Sequence, residues 1–339
     1  MITYQQEIIA LGNLPLKVEL AFKKQFPNYI VYDLENSMQN LMAILTKHSQ
    51  CQMLITFLCH KITKTQLELM PKLKIIANYA VGFDNIDIEE ASRRNIIVLN
   101  TPDVLSEATA DLAFALLMSC SRHIVTGHNY ILRSHWQGLT INMFLGQSLS
   151  NKTVGIIGFG RIGQIFAKRL LGFDVKILYT KFSPPSSKDL ELEHKYNAKR
   201  VDLDELLKAS DVISVHCPLN DSTYHLIDES KFRLMKPNCI FINTARGSVV
   251  DEKALIVALT NRNIQAAGLD VFEFEPNVPE ALKTLDNVIL TPHIGSADEQ
   301  TRESMGCLLL NGITSVLNKH RPDNIVNNNL WNKFLMNVN

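Results

Sequence analysis

Short apolar runs alternate along the chain with longer stretches in which apolar residues recur every three or four positions. Residues 29–32, 53–57, 75–78 and 96–99 read as strands, and intervening segments such as 65–69 and 88–94 read as helices. Apolar strands joined by helical crossovers predict a parallel sheet buried on both faces. The first hundred residues therefore read as one small α/β unit. A long helix is expected next: Ala108, Leu112, Ala115 and Leu116 recur at helical spacing, Ser106 supplies a cap, and the pattern runs to about Ser121. A polar segment over residues 123–152, carrying Trp136, separates this helix from a second alternation. Six further strands are expected there, at 153–157, 176–179, 212–216, 239–243, 266–270 and 288–291, the number that suits a dinucleotide-binding sheet. Helical sequence from 299 to about 318 is placed to return to the first unit.

Composition sharpens this picture by exclusion. The 339 residues are 46% hydrophobic and 20% charged, which suits about two globular domains rather than a disordered chain. Lys+Arg and Asp+Glu are both 34, and a formal net charge of zero argues against a nucleic-acid partner. No run reaches the roughly 18 apolar residues of a membrane span. The opening MITYQQEIIA lacks the basic-then-apolar order of a secretory signal, so neither membrane nor export is expected. Cys51, Cys59, Cys120, Cys217, Cys239 and Cys307 form no CxxC pair and no metal-ligand cluster with histidine. They read as reduced thiols of a cytoplasmic protein, and no metal is expected. The Asn-rich stretch after Asn324 reads as a loosely held terminus.

The second alternation opens with Thr-Val-Gly-Ile-Ile-Gly-Phe-Gly-Arg-Ile-Gly, residues 153–163, a GxGxxG motif with Gly158, Gly160 and Gly163. It follows an apolar strand and opens a helix over 161–171 whose Ile162, Phe166 and Leu170 share a face, which is the context the motif requires. Gly158 permits the tight turn, Gly160 lets backbone approach a pyrophosphate, and Gly163 lets helix and strand pack closely. The N–H groups and dipole of the helix start favour the anion. An NAD site usually places a carboxylate about 20 residues on, for the ribose 2′-hydroxyl. The second strand instead ends Leu178-Tyr179-Thr180-Lys181. Without that carboxylate, and with Lys181 able to attract a 2′-phosphate, NADPH is expected to be at least tolerated.

Three later strand ends carry polar residues suited to reduction of a 2-keto acid. Arg246 follows one strand, Asp270 and Glu275 lie at or past the next, and His293 follows the last. Ligands of open α/β sheets sit beyond the carboxyl ends of strands, so Arg246, Glu275 and His293 are expected to converge. Arginine offers a planar fork of donors to a carboxylate or carbonyl. Histidine suits a proton donor near neutrality, and a carboxylate beside it favours its protonated form.

With these residues stands a longer set of segments: Asn78-Tyr79-Ala80-Val81-Gly82-Phe83-Asp84-Asn85-Ile86-Asp87, Asn100-Thr101-Pro102-Asp103-Val104-Leu105, Ala108-Thr109-Ala110-Asp111-Leu112 and His216-Cys217-Pro218-Leu219. In this order, from about Ile75 to Ser296, the chain resembles the D-isomer-specific 2-hydroxyacid dehydrogenase family, and the Asn-Thr-Pro-Asp-Val-Leu stretch most resembles glyoxylate/hydroxypyruvate reductases. The resemblance implies two Rossmann-like or flavodoxin-like α/β domains with parallel sheets and a cleft between them. It makes residues 1–102 and 298–339 a discontinuous substrate-binding domain and residues 103–297 the NAD(P)-binding domain. It implies that Arg246 binds the substrate's carboxylate and keto oxygen, that His293 is the acid/base and that Glu275 pairs with it. The N–H groups of Val81 and Gly82 would hold the substrate carboxylate. Arg161 and Ile162 would cover the pyrophosphate. Pro218, Thr244, Ala245 and Asp270 would line the adenosine and nicotinamide sites, and Thr109, Gly295, Ser296 and His293 belong to the same cofactor set. Thr180 stands where NAD-specific members carry Asp. A homodimer through the cofactor domain is implied, with the segment around Trp136 at its interface.

The expected reaction is hydride transfer from NADPH or NADH to the keto carbon of glyoxylate or hydroxypyruvate, with His293 as proton donor. Alternatives are a D-3-phosphoglycerate or D-lactate dehydrogenase and, in a different class, a nucleotide-sensing corepressor or scaffold on the same fold.

Overall fold

Among the residues that the computed structural model describes, 3–33 and 40–336, five short strands form one sheet: β1 (Ile8–Ala10), β2 (Tyr29–Val31), β3 (Met53–Thr56), β4 (Ile75–Asn78) and β5 (Ile97–Leu99). All pair in parallel, in the order β2-β1-β3-β4-β5, which is the flavodoxin-like order. The sequence reading omitted β1. Its three residues, Ile-Ile-Ala, are too few to show a period, yet they are completely buried and pair with both β2 and β3. Burial on both faces follows from the crossovers. Leu41–Lys47, Lys64–Glu68 and Ile88–Arg93 are helices that contribute to the cluster around Leu45, Leu54, Leu67 and Ile76. The Leu16–Gln25 and Glu299–Leu317 helices pack together, with Gly306 so close under Val18 that a side chain there would overlap it.

The Asn-rich stretch corrects the expectation of a loosely held terminus. Asn327 Oδ1 accepts from Val98 N at 3.0 Å and its Nδ2 donates to Ile96 O at 2.9 Å. Asn324 Nδ2 donates to Asn100 O at 2.8 Å. The backbone of 324–326 pairs antiparallel with the edge strand β5, with Asn100 N donating to Asn324 O and Val326 N to Val98 O, and the amides extend this cover over groups that would otherwise invite another chain. Leu330, Trp331 and Phe334 are buried behind them. Residues 337–339 lie outside the described residues.

These elements belong to one of two compact units, residues 1–105 with 297–339; residues 106–296 form the other. The second unit carries seven parallel strands: β6 (Thr153–Ile157), β7 (Lys176–Thr180), β8 (Ala198–Arg200), β9 (Val212–Val215), β10 (Ile240–Asn243), β11 (Ala266–Leu269) and β12 (Val288–Leu290). Their order is β12-β11-β10-β9-β6-β7-β8. The winding reverses between β6 and β9, and a crevice at the carboxyl ends of these two strands is where such sheets bind ligands. Six strands were expected; the seventh, β8, reads Ala-Lys-Arg at an edge and has no apolar signature. One face of the sheet buries Leu206, Phe232, Phe241 and Leu259, and the other buries Ala113, Leu117, Phe166 and Leu170. Each of the large side chains contributes roughly 1.5–3 kcal/mol by leaving water.

Residues 123–152 depart from their reading as a polar segment. They include a helix, Ile124–Leu132, with no buried residue. Leu139 is 90% exposed, Ile141 93% and Trp136 57%. The stretch thus exposes several large apolar side chains among its polar residues, while Leu149 near its end is buried. No helix among the described residues is long and apolar enough to cross a membrane.

Candidate active site

Strand β6 ends at Ile157, and the chain turns at Gly158 with φ of 92°, a conformation that a side chain disfavours. A Cβ there would also lie 2.6 Å from Cys217 N, so this glycine lets the turn lie against the His216–Cys217 peptide. Gly163, in the first turn of the Arg161–Leu170 helix, sits against Gly158 O, as close helix–strand packing requires. Gly160 differs, because a Cβ there would meet nothing within 4 Å. Its absent side chain leaves open space at a helix N-terminus, the place where a pyrophosphate is held by N–H groups and the helix dipole.

At the end of β7, Thr180 is buried, and Lys181 does not extend into solvent. Its Nζ lies 2.7 Å from Asp189 Oδ1, while Arg200 Nη1 lies 2.7 Å from Asp189 Oδ2. Lys181, the Ser186 N–H and Arg200 together hold the Asp189 carboxyl down at about 2. Arg200 also donates to Lys181 O at 3.1 Å, which fixes the loop after β7. Two cations share the Asp189 carboxylate, and a second carboxylate, Glu193, accepts from Arg200 N at 2.8 Å through Oε1. Sequence reasoning missed Asp189 and Arg200. The signal for Asp189 was a capping box, Ser186 and Asp189 three residues apart at a helix start. Arg200 carried none, because its strand was not recognised.

Strand β10 ends at Asn243, whose side chain is 1% exposed. Its Oδ1 accepts from Ala245 N at 3.0 Å and its Nδ2 donates to Arg246 O at 3.0 Å. Asn243 thereby folds the turn that presents Arg246, a role the sequence reading did not assign. Thr244 Oγ1 in the same turn is buried and has no hydrogen-bond partner among the described residues. A buried hydroxyl left so is costly unless a ligand completes it.

Asp270 follows β11 and is 1% exposed. Burial raises its carboxyl, which accepts three hydrogen bonds: Thr291 Oγ1 at 2.7 Å, Ile294 N at 2.8 Å and Gly295 N at 2.8 Å. These bonds tie the end of β11 to the loop after β12. His293 lies in that loop with φ of 52°. Its Nδ1 is 2.8 Å from Glu275 Oε2, and Glu275 Oε1 accepts from Phe272 N at 3.0 Å. Thr109, on the Ser106–Arg122 helix, stands beside Gly295, where a Cβ would lie 3.4 Å from its methyl group. Pro218 O accepts from Thr223 Oγ1 at 2.7 Å, which holds the turn after β9.

In the other unit, Val81 and Gly82 follow β4. Ala80 O accepts from Thr101 N at 2.8 Å, Val81 O from Asn100 Nδ2 at 2.8 Å and Gly82 O from Asn78 Nδ2 at 2.8 Å. A trans peptide points its N–H opposite its carbonyl. With the Ala80 and Val81 carbonyls engaged by Thr101 and Asn100, the N–H groups of Val81 and Gly82 are directed away from those partners.

The second unit thus offers what a dinucleotide needs. Gly160 leaves room at a helix start, Thr244 Oγ1 lacks a partner among the described residues, and Thr180 puts no carboxylate at the end of β7. Comparison with known proteins agrees. Residues 114–295 match the family model of the D-isomer specific 2-hydroxyacid dehydrogenase NAD-binding domain. Over 288 residues the chain is 49% identical to the glyoxylate reductase of Thermococcus litoralis, covering 84% of this chain and 86% of that one. An NADPH-dependent glyoxylate/hydroxypyruvate reductase from Sinorhizobium meliloti, solved with NADP and malonate, superposes with a TM-score of 0.82 at 31% identity, covering 96% and 97% of the two chains. A glyoxylate reductase from Paecilomyes thermophila gives 0.82 at 29% identity, covering 96% and 99%. The chain belongs to the D-isomer specific 2-hydroxyacid dehydrogenase family, NAD(P)-dependent oxidoreductases with a Rossmann nucleotide-binding domain.

Proposed function

We propose that this enzyme reduces glyoxylate or hydroxypyruvate to the corresponding 2-hydroxy acid, accepting NADPH as well as NADH. The observation that carries the reading is the Glu275–His293 pair, held at 2.8 Å beside a turn that presents Arg246. When bound, the reduced nicotinamide supplies the hydride. Arg246 binds the carboxylate and polarises the keto oxygen through its fork of donors. Glu275 accepts from Nδ1 of His293, so the proton that reaches the substrate oxygen resides on Nε2. The outward N–H groups of Val81 and Gly82 are assigned to the substrate carboxylate. Residues 1–102 and 298–339 serve as the substrate-binding domain, and residues 103–297 as the NAD(P)-binding domain. Gly158, Gly160, Arg161, Ile162 and Gly163 hold the pyrophosphate, with Thr180 and Lys181 at the ribose. Pro218, Thr244, Ala245, Asp270, Gly295, Ser296 and Thr109 line the rest of the nucleotide site.

We also read the enzyme as a homodimer. Leu139, Ile141 and Leu145 are exposed together with Trp136 along residues 123–152, and a second copy of the same stretch would cover such a surface. All six cysteines are thiols, and the exposed ones at 59 and 307 suit a reducing cytoplasm.

The test follows NADPH and NADH absorbance with glyoxylate, hydroxypyruvate, pyruvate and 3-phosphohydroxypyruvate. Fastest turnover with either of the first two supports the reading. A preference for pyruvate or the phosphorylated acid makes it a lactate or phosphoglycerate enzyme, and no oxidation with any of them favours a nucleotide-sensing scaffold. His293→Ala should lower kcat by ~10²–10⁴-fold through loss of the acid. Near-full turnover by that variant at saturating substrate would remove His293 from the role.

A further inference from the structure

The turn that carries Arg246 and the loop that carries Glu275 meet on one short segment, Phe272 and Glu273. Gly247 lies so close to the Phe272–Glu273 peptide that a Cβ on it would overlap both the Phe272 carbonyl and Glu273 N. The Phe272 N–H donates to Glu275 Oε1 at 3.0 Å. One end of this short segment therefore bears on Arg246 through Gly247, and the other bears on His293 through Glu275.

What fixes the segment is a carboxylate outside the expected site. Glu273 Oε1 lies 2.8 Å from His225 Nε2, and its side chain is 9% exposed. Glu273 Oε2 accepts from Glu252 N at 3.4 Å, while Glu273 N donates to Glu252 Oε2 at 3.3 Å. Glu252 begins the Glu252–Thr260 helix, so Glu273 is drawn to a helix N-terminus. His225 N in turn donates to Ser248 O at 2.9 Å, inside the Gly247–Val249 turn that follows Arg246. Burial, with the neighbouring Glu273 carboxylate, holds the Glu252 carboxyl above its ordinary range. Two buried carboxylates side by side oppose folding, and a surface loop has no need of them. Their reciprocal bonds to each other's backbone N–H, with His225 at the far oxygen, make a closed clamp around the shared peptide.

We propose that Glu273 is a positioning residue for keto-acid reduction: gripped by His225 and Glu252, it fixes the segment in which the Phe272–Glu273 peptide backs the Arg246 turn and the Phe272 N–H holds Glu275. Glu273 does not touch substrate. It acts by setting the distance between the guanidinium that orients the substrate and the imidazole that protonates it. This role rests on the assignment of Arg246, Glu275 and His293 made above.

The experiment compares Glu273→Ala, Glu273→Gln and His293→Ala in the full enzyme with NADPH and glyoxylate. Alanine removes the two side-chain grips, on His225 and on the Glu252 N–H, and leaves the main-chain bond from Glu273 N to Glu252 Oε2. Glutamine keeps them, since its oxygen can accept from the Glu252 N–H and its amide can donate to a neutral His225. Glu273→Ala should lower kcat by about tenfold or more, because small misplacements of reacting groups are costly. NADPH affinity, read by quenching of protein fluorescence, should be unchanged, and Glu273→Gln should restore most of the lost turnover. Should Glu273→Ala fail to fold by thermal unfolding, His225→Ala releases one grip at a partly exposed ring and should show the same loss of kcat. Wild-type kcat in a folded Glu273→Ala or His225→Ala variant, with His293→Ala inactive, overturns the positioning role and leaves the proton donor standing. An equal loss in Glu273→Ala and Glu273→Gln also overturns it. Full turnover by His293→Ala removes the proton donor, and the positioning role falls with it.

Discussion

Glu275 Oε2 lies 2.8 Å from Nδ1 of His293, across two loops that leave the neighbouring strands β11 and β12. The other carboxylate oxygen is taken by the Phe272 N–H. Both oxygens being engaged, the carboxylate has little freedom, and the imidazole inherits its orientation. An ionised carboxylate can only accept, so Nδ1 must donate, and the exchangeable proton is left to Nε2. Glu275→Gln keeps the shape, but its amide NH₂ must face one of two donors, the Phe272 N–H or Nδ1–H of His293. The expected result is a fall in kcat of about 10- to 100-fold with glyoxylate, smaller than the loss in His293→Ala. Steady-state kinetics on the two variants decides it, and equal rates for wild type and Glu275→Gln would deny the carboxylate its part.

Cofactor choice turns on the end of β7. We read Thr180 as placing no carboxylate against a 2′-phosphate, with the Lys181 ammonium, paired to Asp189 at 2.7 Å, as the cation next to it. Lys181→Ala should raise KM for NADPH by about tenfold, the scale of one charged hydrogen bond, and leave KM for NADH nearly unchanged. Thr180→Asp should act in the same direction by repelling the phosphate and binding the ribose hydroxyl. Equal changes for the two nucleotides would show that Lys181 serves only to hold its loop.

Much of this site was legible in the sequence, for physical reasons. The strands that present Arg246 and Asp270 are buried on both faces and read as unbroken apolar runs, so the first polar residue after each marks a strand end. The glycine loop was legible because each glycine has a separate steric duty, seen at Gly158 and Gly163. Strands β1 and β8 were not, the first because three residues show no period, the second because an edge strand need not be apolar. The hold of Asn327 on β5 was hidden too, since an amide that caps a strand edge looks in sequence like any loop asparagine. The contact between Lys181 and Arg200 through Asp189 joins residues 19 apart and depends on a strand the sequence did not reveal. The segment 123–152 misled in a different way. Its apolar residues were discounted among polar neighbours, and only the structure shows that they are exposed.

The Asp189 network sets an acid limit to stability. An aspartate in an unfolded chain titrates near ~3.9. In the folded protein Lys181, Ser186 N and Arg200 hold it down at about 2. A depressed carboxyl contributes stability that is complete above the unfolded value and lost as pH falls through the folded one. The difference in urea unfolding between wild type and Asp189→Asn should therefore be constant at pH 5 and above, then shrink between about pH 4 and pH 2. A difference that does not change with pH over that window would mean the charge of Asp189 is not what stabilises the loop.

Asp270 supplies the sharpest contrast between shape and chemistry. Its two oxygens accept from a hydroxyl and two backbone N–H groups, all within 2.8 Å. An asparagine at this position would be nearly the same shape, but one of its heavy atoms would be an NH₂ group facing a donor. Burial raises the Asp270 carboxyl, so Asp270→Asn relieves the cost of a buried charge while it leaves at least one backbone N–H without an acceptor. The backbone donor left without an acceptor costs about 1–3 kcal/mol. Asp270→Asn should accordingly lower the thermal midpoint by several degrees. It should also lower kcat, because the loop held by the Ile294 and Gly295 N–H groups is the one that carries His293. A variant as stable and as active as wild type would show that the loop after β12 holds its course without Asp270.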